Sequence, residues 1–169
     1  MHYTTKQLLR KLAIGAVALA VAAGITLFIK ENLDVQDPET ALPTIQVTTN
    51  GMALSPEMIF RAGYIWNFFT TTEENTPLWT TQDILAHTYP VDVPPRSILS
   101  IDFSLKPKTL TVSRTDDENF EYYLDLVDTD GSQLITPAQA GAYLYKIQAG
   151  FGRRGSVIYY LLINVKESL

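Results

Sequence analysis

His87 is the one histidine beyond residue 2, so any Ser-His-Asp triad in the body of the chain has to use it. No Gly-x-Ser-x-Gly elbow accompanies it, and it stands among Thr88, Tyr89 and Pro90, where it reads as a loop residue. A catalytic zinc site needs two or three histidines, and the absence of Cys excludes thiolate metal sites, thiol nucleophiles and disulfides. Asp128-x-Asp130-Gly131 carries part of a calcium loop, but Leu126 stands where an earlier ligand belongs, and Pro137-Ala138-Gln139 offers no distal Glu. It reads as a solvated turn, and Asp116-Asp117-Glu118 as an exposed acidic loop. Two carboxylates can hydrolyse a glycosidic bond, but with eighteen acids some pair is always near, so its presence discriminates nothing. Gly150-Phe151-Gly152-Arg153-Arg154-Gly155 joins two strands instead of opening a helix, so it is no phosphate loop. The expectation is a chain without enzymatic activity, cofactor or metal.

The same glycine-rich loop is the first candidate for partner binding. Phe151 beside Arg153 and Arg154 sets an apolar ring next to a basic pair at a strand connection, a combination common in binding hot spots. Arg can also grip an acidic polymer through two parallel hydrogen bonds. The alternative is a solubilising turn whose Phe151 folds back onto the domain. Trp79, in the long segment 71–96 with Leu78 and Ile84, is either an exposed anchor or a pin holding that segment down. Trp66, between Tyr64 and Phe68, reads as core.

From Thr44 onward the hydrophobic period is two. Alternating faces run through Ile45 and Val47; Tyr64, Trp66 and Phe68; Leu99, Ile101 and Phe103; Leu110 and Val112; Tyr122, Leu124 and Leu126; Tyr143, Tyr145 and Ile147; and Val157 to Val165. Asn50-Gly51, Lys106-Pro107-Lys108, Asp128 to Gly131 and Gly150 to Gly155 supply the turns. The spacing predicts an all-β fold, an antiparallel sandwich of about seven strands over residues 44–169. Ser55-Pro56-Glu57 and Thr80 to His87 read as short helical turns.

The N-terminal thirty residues differ in kind. Leu12 to Ile29 is eighteen residues without an ionisable group, and as a helix it spans about 27 Å, close to the hydrocarbon thickness of a bilayer. Leu12, Ile14, Val17, Leu19, Val21, Ile25, Leu27, Phe28 and Ile29 supply the apolar surface of a transmembrane helix over 12–30. Lys6, Arg10 and Lys11 flank it on one side and Lys30 on the other, so the positive-inside rule keeps a tail, 1–11, in the cytoplasm and the C-terminal domain outside. Ala18-Leu19-Ala20 and Ala20-Val21-Ala22 also fit a signal-peptide cleavage site, although the apolar run continues past both. Ala16, Ala20 and Gly24 share one helix face and allow a homodimer through the membrane. Residues 31–43, acidic and with Pro38 and Pro43, read as a linker. Residues 1–30 carry a charge of +4 and 31–169 a charge of −9, which argues against nucleic acid and against a domain lying on anionic headgroups.

Ala140-Gly141-Ala142-Tyr143-Leu144-Tyr145, an alternating strand, a glycine-rich turn and a closing strand together resemble the last hairpin of immunoglobulin-like domains, here without the usual Cys pair. More narrowly, Gly63-Tyr64-Ile65-Trp66, then Leu99 to Phe103 with Pro107, then Gly141-Ala142-Tyr143-Leu144-Tyr145, then Tyr159 resemble small N-terminally membrane-anchored proteins of Gram-positive bacteria with an immunoglobulin-like ectodomain. The likeness covers about residues 60–166 and implies a fold and a location. Those proteins have no assigned activity, so it transfers no site. The function expected is non-enzymatic binding, sensing or scaffolding at the cell envelope, with an envelope protein or wall polymer as partner. The alternatives are a secreted binding module released by cleavage and a small envelope hydrolase.

Overall fold

A computed structural model describes residues 5–116, 119–126 and 133–167. The chain divides after Ala41 into two units. The first is helical. α1 runs from Thr5 to Gln36, 32 residues, and α2 from Pro38 to Ala41. All nine apolar residues expected in the spanning segment lie on α1 and are exposed. The helix continues seven residues beyond Ile29, into the stretch expected to be an irregular linker. Glu31-Asn32-Leu33-Asp34-Val35-Gln36 contains neither Pro nor Gly, and extending an existing helix needs no new nucleus. Pro38 stops it: the residue before a proline is pushed away from the helical region, and Pro38 itself suits the first position of the next turn.

The second unit is mostly β, with eleven strands in two sheets among the described residues. β1 (Ile45–Thr49), β2 (Met52–Ala53), β6 (Ile98–Phe103) and β9 (Gln133–Ile135) form one sheet in the order β2-β1-β6-β9. β3 (Ile59–Asn67), β4 (Thr72–Asn75), β7 (Thr109–Thr115), β8 (Tyr123–Asp125), β10 (Gly141–Gly150) and β11 (Gly155–Val165) form the other, in the order β4-β3-β11-β10-β7-β8. β5 (Val91–Val93) adds to β11 in parallel, and every other pairing is antiparallel. All seven strands expected from the alternation are present. The tight β1–β2 turn is made by Asn50 and Gly51, both at positive φ (49° and 83°), the backbone this two-residue hairpin requires.

The two sheets share one core. Val47, Leu99 and Ile101 of the smaller sheet meet Val112, Tyr145, Ile147, Val157, Tyr159, Leu161 and Ile163 of the larger, with Tyr64 and Trp66 from β3. The larger sheet is apolar on its other face too. There Leu144, Tyr160 and Ala62 are covered by Ile84 of α3 (Thr81–His87) and by Trp79. A bulge in β3 opposite Ile158 and Tyr159 leaves Ala62 without a rung partner, and Phe60 and Ala62 both pack in this outer cluster. Tyr122 and Leu124, expected on an inward face, are instead exposed; on β8, the outermost strand, it is the alternate residue Tyr123 that is half-buried, against Tyr160 of the outer cluster. At the start of β10, the Tyr143 hydroxyl donates to the Gln139 carbonyl at 3.0 Å. Asp128 to Gly131, read as a turn with part of a calcium pattern, lies outside the described residues.

Candidate binding surface

Three loops meet at one end of the β unit. The β6–β7 turn (104–108), the β10–β11 turn (151–154) and the β3–β4 turn (68–71) are adjacent because their strands pair. Gly150 faces Thr109, Gly155 faces Trp66, and the Lys108 amide donates to the Gly150 carbonyl at 2.7 Å. The Asn67 side-chain amide donates to the Arg153 carbonyl at 2.9 Å, which locks the first turn of β3–β4 to the glycine-rich loop. The chain enters the unit at this same end. Ile45 faces Phe103, and the Ser104 amide and Thr44 carbonyl bond at 2.9 Å.

Phe151 does not serve this surface as an anchor. Its ring is 5% exposed and sits between Trp66 (5.5 Å) and Phe103 (5.9 Å), both edge-on. The alternation of β10 places Tyr145, Ile147 and Ala149 inward, and Phe151 continues that row under the loop. Burial of a large ring outweighs any use of it as a free contact. Arg153 and Arg154 do face solvent, in a 3₁₀ turn spanning Gly152–Arg154. The Lys108 side chain lies over Gly152, about where a Cβ would stand, with Cδ at 2.8 Å. Lys106 and Lys108 are exposed beside them. Phe69, at the tip of the β3–β4 turn, is 94% exposed, and Leu105 is also exposed. The surface is therefore four cations and two apolar side chains, of which reading the sequence supplied only Arg153 and Arg154. By sequence Lys106 and Lys108 read as turn residues, and only the strand order shows that this turn adjoins the arginines.

Trp79 is not at this end. It is half-buried over the outer face of the larger sheet, where its indole N–H donates to the Ala62 carbonyl. Its ring meets Phe60 edge-on at 5.1 Å and His87 at 5.1 Å. It pins the segment between β4 and α3 against the sheet. His87 stacks on Phe60 at 4.8 Å, and its Nδ1–H donates to the Asp83 carbonyl at 2.7 Å. α3 starts with a reciprocal cap: the Asp83 amide donates to the Thr80 hydroxyl, and the Thr80 amide and hydroxyl donate to the Asp83 carboxylate. These bonds hold the Asp83 carboxyl below the usual range. Neither the chain as a whole nor any part of it matches a family model, a curated protein or a solved structure.

Elsewhere the polar groups serve the fold. Arg114 donates to both Asp116 oxygens at 2.6 and 3.0 Å, which raises the guanidinium further, and its charge lies over the Tyr143 ring. Asp92 accepts from Lys166 at 2.6 Å and Asn164 at 2.7 Å, which lowers its carboxyl and fastens β5 beside β11. Burial pushes the Tyr145 hydroxyl up, with the nearby Arg114 guanidinium pulling the other way. No group of three or more His, Asp or Glu among the described residues is placed to hold a metal ion.

Proposed function

We propose that this protein is a membrane-anchored, non-enzymatic binding, sensing or scaffolding module of the bacterial cell envelope, with its N-terminus cytoplasmic and an immunoglobulin-like sandwich outside. The observation that carries the reading is α1, one N-terminal helix long and apolar enough to cross a membrane, with none of its apolar side chains buried. A soluble helix buries an apolar stripe against a core, and one that is apolar all round needs lipid. The orientation rests on Lys6, Arg10 and Lys11 against the single Lys30. Two sheets around one core support the immunoglobulin-like assignment. So does the Tyr143 bond to Gln139, which is the bond a tyrosine corner makes to backbone a few residues upstream. The partner is an envelope protein or an acidic wall polymer.

Fractionation of the native membranes tests this. The expected result is a chain of 18.9 kDa that resists alkaline extraction and whose β unit is open to protease added outside. A mature chain starting after Ala22 overturns the anchor in favour of a released module. Turnover of wall fragments by the purified protein, lost in His87→Ala, overturns the non-enzymatic reading in favour of a hydrolase.

A further inference from the structure

We infer that the loop end of the β unit is a docking surface for anionic lipid headgroups, so that the module settles on the membrane that anchors it. The inference rests on the membrane-spanning reading of α1. Residues 42–169 hold nine Lys and Arg against fourteen Asp and Glu, so as a whole the unit is acidic. The charge is not evenly spread. Four of the nine cations, Lys106, Lys108, Arg153 and Arg154, fall in the three loops at one end, and those loops contain no acid. All four are exposed, and among the described residues none has an ion-pair partner. Exposed Phe69 and Leu105 stand among them.

The position of this end names its occupant. The chain enters the unit there, at Thr44 beside Ser104. Twelve residues separate Ile29, the last apolar residue of the run, from Leu42; seven continue α1 and four form α2, so they span roughly 20 Å. The loop end is therefore tethered close to a headgroup layer, where effective concentration turns weak contacts into occupancy. The linker's acids, Glu31, Asp34, Asp37 and Glu39, give an anionic surface no hold, which leaves the hold to the four loop cations. Each basic side chain near such a surface is worth about a fivefold gain in occupancy, and exposed aromatic rings favour the interface. With the loop end on the lipid, the Asn50-Gly51 turn, about 20 Å away along β1, faces outward for a partner.

The chain has no Cys, so single cysteines report positions uniquely. The full chain, carrying a fluorophore at Thr70→Cys, Met52→Cys or Val21→Cys, is placed in nanodiscs of phosphatidylglycerol or phosphatidylcholine containing spin-labelled quencher lipids. The inference expects the Thr70 label to be quenched at headgroup depth in phosphatidylglycerol but not in phosphatidylcholine, and the Met52 label in neither. Reversing all four cations (Lys106→Glu, Lys108→Glu, Arg153→Glu, Arg154→Glu) lowers Thr70 quenching more than tenfold. About 0.5 M salt does the same to the unaltered loops, so the test does not depend on the variant folding. Equal quenching in both lipids, or quenching indifferent to charge reversal and salt, overturns the inference. So does capture of soluble polyglycerol phosphate by the four cations while Thr70 stays unquenched in phosphatidylglycerol. A quenched Val21 label beside an unquenched Thr70 label overturns the docking alone. A Val21 label beyond the reach of acyl-chain quenchers overturns the spanning reading and the docking with it.

Discussion

Tyr159 shows how one side chain couples the chain's entry point to its core. Its ring is 3% exposed, and its hydroxyl donates to the Pro43 carbonyl at 3.1 Å. Burial pushes its pKa up to about 12, with the nearby Arg61 charge pulling the other way. The sign follows from which state holds the proton. Between about pH 10 and 12 the unfolded tyrosine ionises while the folded one stays neutral, so the folded state binds more protons and stability falls as pH rises. Below pH 10 this contribution is fully present; by pH 12 about 2 kcal/mol of it is lost. Tyr159→Phe is therefore expected to cost about 1 kcal/mol near neutrality, through the lost hydrogen bond, and to make the alkaline decline shallower. Denaturant midpoints measured from pH 7 to 12 check this; a variant that declines as steeply as the parent refutes it. Phe151 makes the complementary point about legibility. Glycines on both sides announced a loop, but residue type does not say whether a loop ring faces water or the core. Here Trp66 and Phe103, 85 and 48 positions earlier in the chain, decide it.

At the scale of elements, six of the seven strands that alternation reveals have that face in the core; β8 is the exception, with Tyr122 and Leu124 exposed at the sheet edge. The other four escape for physical reasons. Met52–Ala53 is too short to show a period. Thr72–Asn75 is an edge strand with no apolar residue, so it carries acids where a central strand carries branched side chains. Val91–Val93 lies between Pro90 and Pro94, which read as breakers, and Gln133–Ile135 offers three residues only. The pairing of β3 with β11, invisible in either strand alone, has a glycine at its first rung. Gly155 has φ 121°, and a methyl group there would run into the Ile65 carbonyl oxygen. Gly155→Ala is expected to destabilise the unit by about 2 to 4 kcal/mol, from strain at positive φ plus the shift of β3 needed to clear the contact. Amide exchange along Ile65 to Asn67 should rise in the same variant. Unchanged protection there, with unchanged stability, would show that the β3–β11 junction is looser than this geometry implies.

For the whole molecule, an apolar helix and a β unit are told apart in the sequence because a helix apolar all round and a sheet with one packed face demand opposite patterns. An unbroken apolar run suits lipid, whereas alternation suits a sheet with one wet face. The loop cluster was not legible, since it exists only once β3, β7, β10 and β11 lie side by side. The line between the two units was close to legible, and the difference has an energetic meaning. Alternation begins at Thr44, but the β unit begins at Leu42, which is 4% exposed in the core, and Pro43, whose carbonyl takes the Tyr159 hydroxyl. These two residues carry no period, so a pattern search leaves them in the linker. A fragment starting at Leu42 retains its core leucine and its bond to Tyr159; one starting at Thr44 lacks both. The longer fragment is expected to unfold in one cooperative transition, with the denaturant midpoint of the full chain in detergent. The shorter should be less stable by about 3 kcal/mol, a buried leucine and a hydrogen bond together. Equal midpoints for the two fragments would place Leu42 and Pro43 with the tether. A 42–169 fragment without a cooperative transition would mean that the β unit needs the helical one in order to fold.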